Sequence, residues 1–348
     1  MKRIINVTGT GHSGSTAITS WLNDYNNCVS LKNWECGLFR SDGGIIELSN
    51  MLLSGDIFLQ NSSLARFINL VERTEIELRF QKLEKDVSKQ FRDMSDNFLN
   101  SLLIERRPPW AHVFDAYNLG KIGMRCKIYS YPNTSLKNIL INFLVKVAEK
   151  INGGGYHIAT EYNYDSPRND IFYVKALSED SLLRLAKEYL RNFFELFTEK
   201  DEQLVVAPCF VCVETINNYR KCERFFDDLK SIFVLRDPRD CFVSYVNSGY
   251  FNETQIDDFC AKYLYSVREY PFNYSGIISI SFEDFILKHE EIKKKILDFI
   301  GMSEDTLVKI PKYKIEESKQ NIGKWKKYSN QKVMDQIAIK LEKYLIQK

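Results

Sequence analysis

The sequence contains no apolar run approaching the roughly 20 residues that a membrane-spanning helix requires, so no such span is expected. Neither charge sign dominates. Lys and Arg total 48 against 46 Asp and Glu, a formal net charge of +2, which argues against a general nucleic-acid or membrane-surface footprint and leaves room for a local basic site. The opening MKRIINVTGTG carries two basic residues, but its apolar run is short and breaks into glycines, unlike a secretion signal. A cytoplasmic location is the expectation. Eight cysteines lie scattered at 28, 36, 126, 209, 212, 222, 241 and 260, so reduced thiols are expected rather than a disulfide framework. Cys209 and Cys212 have metal-like spacing, but no second Cys or His pair follows at zinc-site distance, and no metal is expected. They read more simply as small residues flanking a strand. There is no Gly-x-Ser-x-Gly elbow, which removes support for acyl hydrolysis. Internal repeats and low-complexity linkers are also lacking.

What is present is an ordinary globular composition, 44% hydrophobic and 27% charged, over 348 residues. Apolar segments RIINVTG, QLVVAPCFV, SIFVLRDP and GIISISFED read as buried strands, and helical patterns fall between them. Alternating strands and helices imply a mostly parallel central sheet with helices on both faces, an α/β three-layer fold, and the glycine-rich turn after the first strand adds the phosphate-loop type. From about 60 to 105 the pattern is helical and charged. Phe80, Leu83, Val87, Phe91, Met94 and Phe98 recur at three- and four-residue steps, predicting one long helix with a single apolar stripe. A further helix is expected after Asn133-Thr134-Ser135 and another after Ser178, the latter running to about 199. The chain therefore reads as one domain whose core is formed by 1–40 and 200–348. About 41–199 form a largely helical insertion on the substrate side.

The stretch NVTGTGHSGSTAITSWL, residues 6 to 22, carries the first chemistry. Gly9, four residues, Gly14, then Ser15 and Thr16 follow the phosphate-binding pattern G-x-x-x-x-G-K-[ST], with Ser15 where the lysine belongs. Backbone N–H groups of such a turn and of the helix behind it bind anions whatever the side chains are. Gly11, Ser13, Gly14, Ser15 and Thr16 are the candidate donors. A second motif, SIFVLRDPRDCFVSYVNSG (231–249), delivers Arg236 at the end of a buried strand, with Ser244 two helical turns later. The carboxyl end of a strand beside a phosphate loop is where open α/β sheets bind ligands. A guanidinium suits phosphate, and a hydroxyl adds a donor. For Arg239 the plainer reading is a structural ion pair with a neighbouring aspartate.

These motifs together resemble the sulfotransferases that use 3′-phosphoadenosine 5′-phosphosulfate (PAPS). GTGHSGST is similar to their 5′-phosphosulfate loop, VLRDPRDCFVS to their 3′-phosphate motif, and ISFEDFILKHEEIKKKILDFIG to the strand-helix segment downstream. NIGKWKKYS (321–329) resembles their segment that closes over the nucleotide, pointing to Gly323, Lys324 and Trp325. The likeness covers about the first 40 and last 150 residues, bacterial-type or carbohydrate sulfotransferases being the implied kin. It implies transfer of a sulfuryl group from PAPS to an acceptor hydroxyl by in-line displacement, with no metal required. A kinase needs the missing lysine and a magnesium-binding acid. The alternatives are nonetheless a phosphate-loop kinase-like phosphotransferase and a catalytically degenerate nucleotide-binding protein.

Many relatives carry Lys or Arg where this chain has His12, which implies that His12 either donates to the transferring group, when suitably protonated, or is a plain loop residue. The same resemblance points to Glu35, in NWECGLFRSDGG, as general base, with Arg40 and Asp42 orienting the acceptor. His112 and His157 stand in reserve, His289 is expected at the surface, and Arg125 and Lys127 read as the wet face of a strand. Tyr156, Tyr162, Tyr164 and Tyr173, among Asn163, Asp165, Arg168 and Asn169, suit a sugar. The expected partner is therefore a small-molecule or glycan acceptor, with no nucleic acid and no transmembrane segment.

Overall fold

The computed structural model describes residues 3–31, 34–80, 86–107, 171–198, 203–304 and 311–346. Five parallel strands form the central sheet: β1 (Arg3–Gly9), β2 (Cys28–Ser30), β5 (Leu204–Pro208), β6 (Asp228–Leu235) and β7 (Ile277–Ser281), in the order β2-β5-β1-β6-β7. Parallel strands covered on both faces are continuous apolar runs, and Leu204–Pro208 is buried throughout. β1 lies at the centre, with Ile4 opposite Val205 of β5 and Leu229 of β6. The one polar side chain at its middle, Asn6, is fully buried and satisfied. Its amide donates to the Val211 carbonyl (3.1 Å) and Ser231 Oγ (3.0 Å) and accepts from the Val211 N–H (3.0 Å).

Helix α1 (Ser15–Leu22) follows β1, and its Ile18, Trp21 and Leu22 enter the core with Ile5, Val7 and Ile280. After β1 the chain passes to the β5–β2 side, and β6 and β7 build the other side. The reversal at β1 opens a crevice above the carboxyl ends of the strands.

The chain divides into two compact units, Met1–Arg40 with Leu183–Lys348, and Ser41–Leu182. In the second unit, α2 (Ile45–Leu52), α3 (Ile57–Phe80) and α4 (Val87–Leu102) precede the antiparallel pair β3 (Leu103–Arg107) and β4 (Ile171–Val174). The single helix expected across 60–105 is corrected here: it is two helices. Asp86 caps α4, accepting from the Lys89 N–H, and Phe80 at the end of α3 is 80% exposed, so the apparent stripe does not continue through it. Helix α5 (Glu179–Glu195) starts after Ser178, whose Oγ accepts from the Ser181 N–H (3.2 Å), and the division between units falls within it.

Beyond it in the first unit come α6 (Ile216–Glu223), α7 (Pro238–Asn247), α8 (Ile256–Ser266), α9 (Phe282–Leu287), α10 (His289–Ile300), α11 (Ile315–Lys319) and α12 (Gln331–Lys340). His289 is half-buried rather than a surface residue. Its Nδ1 lies 3.0 Å from the Phe285 carbonyl, and its ring packs against Trp21 and Phe285. The expected helix after Ser135, the acceptor residues Tyr156, Tyr162, Tyr164, Asn163, Asp165, Arg168 and Asn169, and His112, His157, Arg125 and Lys127 lie outside the described residues.

Candidate functional site

The loop between β1 and α1 turns on three left-handed positions, Gly11, His12 and Gly14. Gly11 has φ 76° and Gly14 φ 87°, and a side chain at either would collide, with the Tyr245 hydroxyl at Gly11 and the Phe282 ring at Gly14. His12 between them also has positive φ, 49°, a conformation that costs a non-glycine residue energy and tends to persist where the surroundings demand it. Gly14 offers α1 no side-chain cap, and no acid sits in the first turn, so the helix presents its N-terminal N–H groups openly. His12, Gly14 and Thr16 line a cavity of about 630 Å3. Ser13 is buried, its Oγ without a partner, and Ser15 begins the helix half-buried.

β6 delivers Arg236 to the same cavity, 4% exposed. Its Nη1 donates to the His12 carbonyl (2.9 Å) and to Ser244 Oγ (3.3 Å), and its Nη2 donates to the Asn321 carbonyl (2.5 Å). Nε is buried without a partner. Asp237 is not its counter-ion. That carboxylate caps α7 and pairs with Arg239, Oδ2 to Nη2 at 2.7 Å, which is the structural role expected of Arg239. The Asp237 N–H in turn donates to Glu283 Oε1 (2.9 Å). Glu283 is buried at the start of α9, and burial pushes its pKa up to about 7.

Another wall of the cavity comes from residues 312–318, a segment that the sequence did not single out, and from Asn321, the first residue of NIGKWKKYS. Asp24, just beyond α1, accepts from the N–H groups of Lys312 and Tyr313 (both 2.9 Å), tying that segment down. Lys312, Lys314, Ser318 and Asn321 then face the cavity. The expected Gly323-Lys324-Trp325 turn lies just beyond the lining. Asp240 of α7 accepts from the Gly323 N–H (2.8 Å) and the Trp325 N–H (3.0 Å), and the Trp325 ring lies under the Arg239 guanidinium, 3.6 Å from ring centre to Cζ. Gly323 and Trp325 are held there by Asp240, while the carbonyl of Asn321, two residues before Gly323, accepts from Arg236.

The residues chosen for the acceptor side are placed elsewhere. Glu35 lies in the chain beyond β2, at the carboxyl edge of the β2–β5 half of the sheet, and is exposed. It forms a long ion pair with Arg40 (3.9 Å), and Arg40 Nη1 approaches Cys212 Sγ (3.7 Å). The Cys209 thiol also lies against Glu35. Burial first and that carboxylate second push its pKa up to about 11. Glu35 and Arg40 are thus together, but neither lines the cavity that holds His12 and Arg236. Asp42 is exposed and belongs to the Ser41–Leu182 unit.

His12 itself is held on several sides. Its Nε2 lies 3.2 Å from Ser248 Oγ, and its ring meets that of Tyr245 edge-on at 4.3 Å. Burial, then the positive charges of Arg236 and Lys262, lower its pKa, so the free protein holds the ring neutral near pH 7.

No protein-family model matches the chain, and comparison with curated proteins finds no match. Among solved structures it is similar to the sulfotransferase domain of the Synechococcus PCC 7002 olefin synthase. That likeness has 12% identity and a TM-score of 0.39, covering 98% of this chain and 94% of the other. It is also similar to the sulfotransferase domain from the curacin biosynthetic pathway, with 14% identity and a TM-score of 0.37, covering 98% of each chain.

Proposed function

We propose that the chain is an enzyme that transfers a sulfuryl group from PAPS to an acceptor hydroxyl, on a carbohydrate or glycolipid. The observation that carries this reading is the convergence of two anion-binding devices on one cavity. These are the open N-terminus of α1 behind a glycine turn, and a buried guanidinium eight residues before a helical serine. A cavity of about 630 Å3 is within the usual range for a nucleotide-sized ligand. Arg236 supports the fit directly, because its Nε is buried unpaired and its Nη groups are spent on backbone carbonyls that a phosphate would outcompete as an acceptor.

In this reading Gly11, His12, Ser13, Gly14, Ser15 and Thr16 cradle the 5′-phosphosulfate. Arg236 and Ser244 take the 3′-phosphate, and Gly323, Lys324 and Trp325 brace the wall behind it. PAPS supplies the sulfuryl group already activated on a phosphate. Glu35 takes the acceptor proton, and Arg40, paired with it, orients the acceptor. N–H donors of the loop and of the α1 N-terminus stabilise charge as it grows on the leaving oxygen.

The test is thermal. A ligand that favours the native state raises apparent stability by RT ln(1 + [L]/Kd). Adenosine 3′,5′-bisphosphate is expected to raise Tm well above any effect of ATP with magnesium. Equal or greater stabilisation by ATP overturns the assignment in favour of a kinase-like protein.

A further inference from the structure

The loop lacks the lysine of its pattern, and the residue nearest that role, His12, is neutral in the free protein. The geometry around Ser248 shows how the ring is prepared. Ser248 closes the end of α7, and its hydroxyl oxygen lies 2.9 Å from the Ser244 carbonyl, 3.1 Å from the Tyr245 carbonyl and 3.2 Å from His12 Nε2. A hydroxyl has one proton to give. Carbonyls only accept, and a helical serine ordinarily donates to the carbonyl four residues earlier. The proton therefore goes to the Ser244 carbonyl, and the oxygen is left to accept from the ring, which places a hydrogen on Nε2. In a neutral imidazole the other nitrogen, Nδ1, is then bare. Nδ1 makes no hydrogen bond among the described residues, and His12 is part of the cavity lining.

The charges that act on this ring are those of Arg236, at the end of β6, and Lys262 on α8, whose ammonium sits 4.5 Å from the centre of the Tyr245 ring. Tyr245 and Tyr250 supply uncharged ring contacts. Burial first, and then these two cations, hold the imidazole neutral. An incoming ligand with two anionic ends reverses that balance, since an opposite charge within about 4–6 Å raises a pKa by roughly 1–3 units.

We propose that Ser248 is a positioning residue that holds His12 as the neutral Nε2–H tautomer, leaving Nδ1 to take up a proton from solvent when the anionic nucleotide enters. The loop then acquires on binding the cation that a lysine would carry permanently, and Nδ1–H donates to the bound anion. This rests on the nucleotide-binding reading above, but its first readout needs no nucleotide.

With 15N-labelled histidine in the full-length chain, the four histidines are read by long-range 1H–15N correlation near pH 7.5. The His12 signal is assigned by its loss in His12→Asn, asparagine being tolerant of positive φ. The wild type is expected to show Nε2 protonated and Nδ1 bare. Ser248→Ala populates the second tautomer, and Ser248→Thr restores the first. A ring protonated at Nδ1 in the free wild type, or a tautomer indifferent to Ser248→Ala, overturns the proposal.

Titration calorimetry with adenosine 3′,5′-bisphosphate, repeated in buffers of different ionisation enthalpy, then counts protons. Uptake is expected to approach one per nucleotide in the wild type and to fall by more than half in His12→Asn. Uptake unchanged in His12→Asn, whether carried by Glu283 or by the ligand, also overturns it. Failure of the nucleotide to bind at all refutes the proposed function, and with it the uptake step, while the tautomer result is read independently.

Discussion

Two arginines three residues apart divide the labour of one motif. Arg239 is locked by Asp237 and covered by Trp325, whereas Arg236 reaches past both aspartates to the loop carbonyl of His12 and to Asn321. A charge-assisted hydrogen bond to phosphate contributes about 1.5–3 kcal/mol, so Arg236→Ala should weaken nucleotide binding by roughly 10- to 150-fold. Ser244→Ala should cost less. Both should shrink the preference for 3′-phosphorylated over plain adenosine nucleotides, measured by calorimetry. An unchanged preference places the 3′-phosphate elsewhere.

Glu283 makes a separate prediction at this scale. Its folded pKa, about 7, stands above its ordinary value of 4.5. Its stabilising contribution is therefore complete below about pH 4.5 and is lost as pH rises through 7. The swing is on the order of 2–4 kcal/mol at 1.36 kcal/mol per unit. Glu283→Gln keeps an oxygen to accept from the Asp237 N–H, so urea midpoints measured from pH 5 to 8 should flatten and the variant should gain relative stability at the alkaline end.

At the scale of elements, the segment from 312 to 325 is held largely through its backbone. Asp24 receives the N–H groups of Lys312 and Tyr313, Arg236 donates to the Asn321 carbonyl, and Asp240 receives the N–H groups of Gly323 and Trp325. Asp240 is fully buried, and burial raises its pKa against the pull of those two N–H donors and Arg236. Removing it leaves two backbone donors unpaired, at about 1–3 kcal/mol apiece if they stay dry. Asp240→Ala is expected to raise amide exchange across 321–326 and to weaken nucleotide binding about 10-fold or more, with exchange in β1 and β6 unchanged. Exchange raised evenly over all three segments would mean that Asp240 supports the fold as a whole rather than this wall.

Helices α3 and α4 teach the opposite lesson about elements. Apolar spacing ran from Phe80 to Phe98 as if unbroken, yet Asp86 is a cap and Phe80 faces outward. Periodicity records which residues favour one face. It does not record whether the backbone between them stays helical.

For the molecule as a whole, the open question is what the enzyme proposed here sulfates. Glu35 and Arg40 sit over the β2–β5 half of the sheet, and Arg236 and Ser244 over the β6 half, with the loop between them. In the proposed reading the nucleotide lies over the β6 half and the acceptor over the β2–β5 half. A labelled sulfate-transfer screen across oligosaccharides, simple phenols and tyrosine peptides is expected to find sugars as acceptors. Glu35→Gln should reduce turnover by about 10²–10⁴-fold at unchanged nucleotide affinity. Transfer to phenols and to no sugar would sink the glycan assignment and leave sulfuryl transfer standing.

The sequence by itself determined the parallel sheet and the two motifs proposed here to bind anions. Core strands covered on both faces must be apolar runs, and a chain turning sharply into a helix needs Gly11 and Gly14 where side chains would collide. The ion pair of Arg239 was also legible, because its partner lies two residues away. Only the tertiary structure decided what completes the site. The wall from Lys312 to Ser318 is anchored through the backbone N–H groups of Lys312 and Tyr313, which every residue but proline carries, so no side-chain pattern announces it. Ser248 reaches His12 across 236 residues of sequence, and that contact exists only because α7 packs its last turn against the phosphate loop.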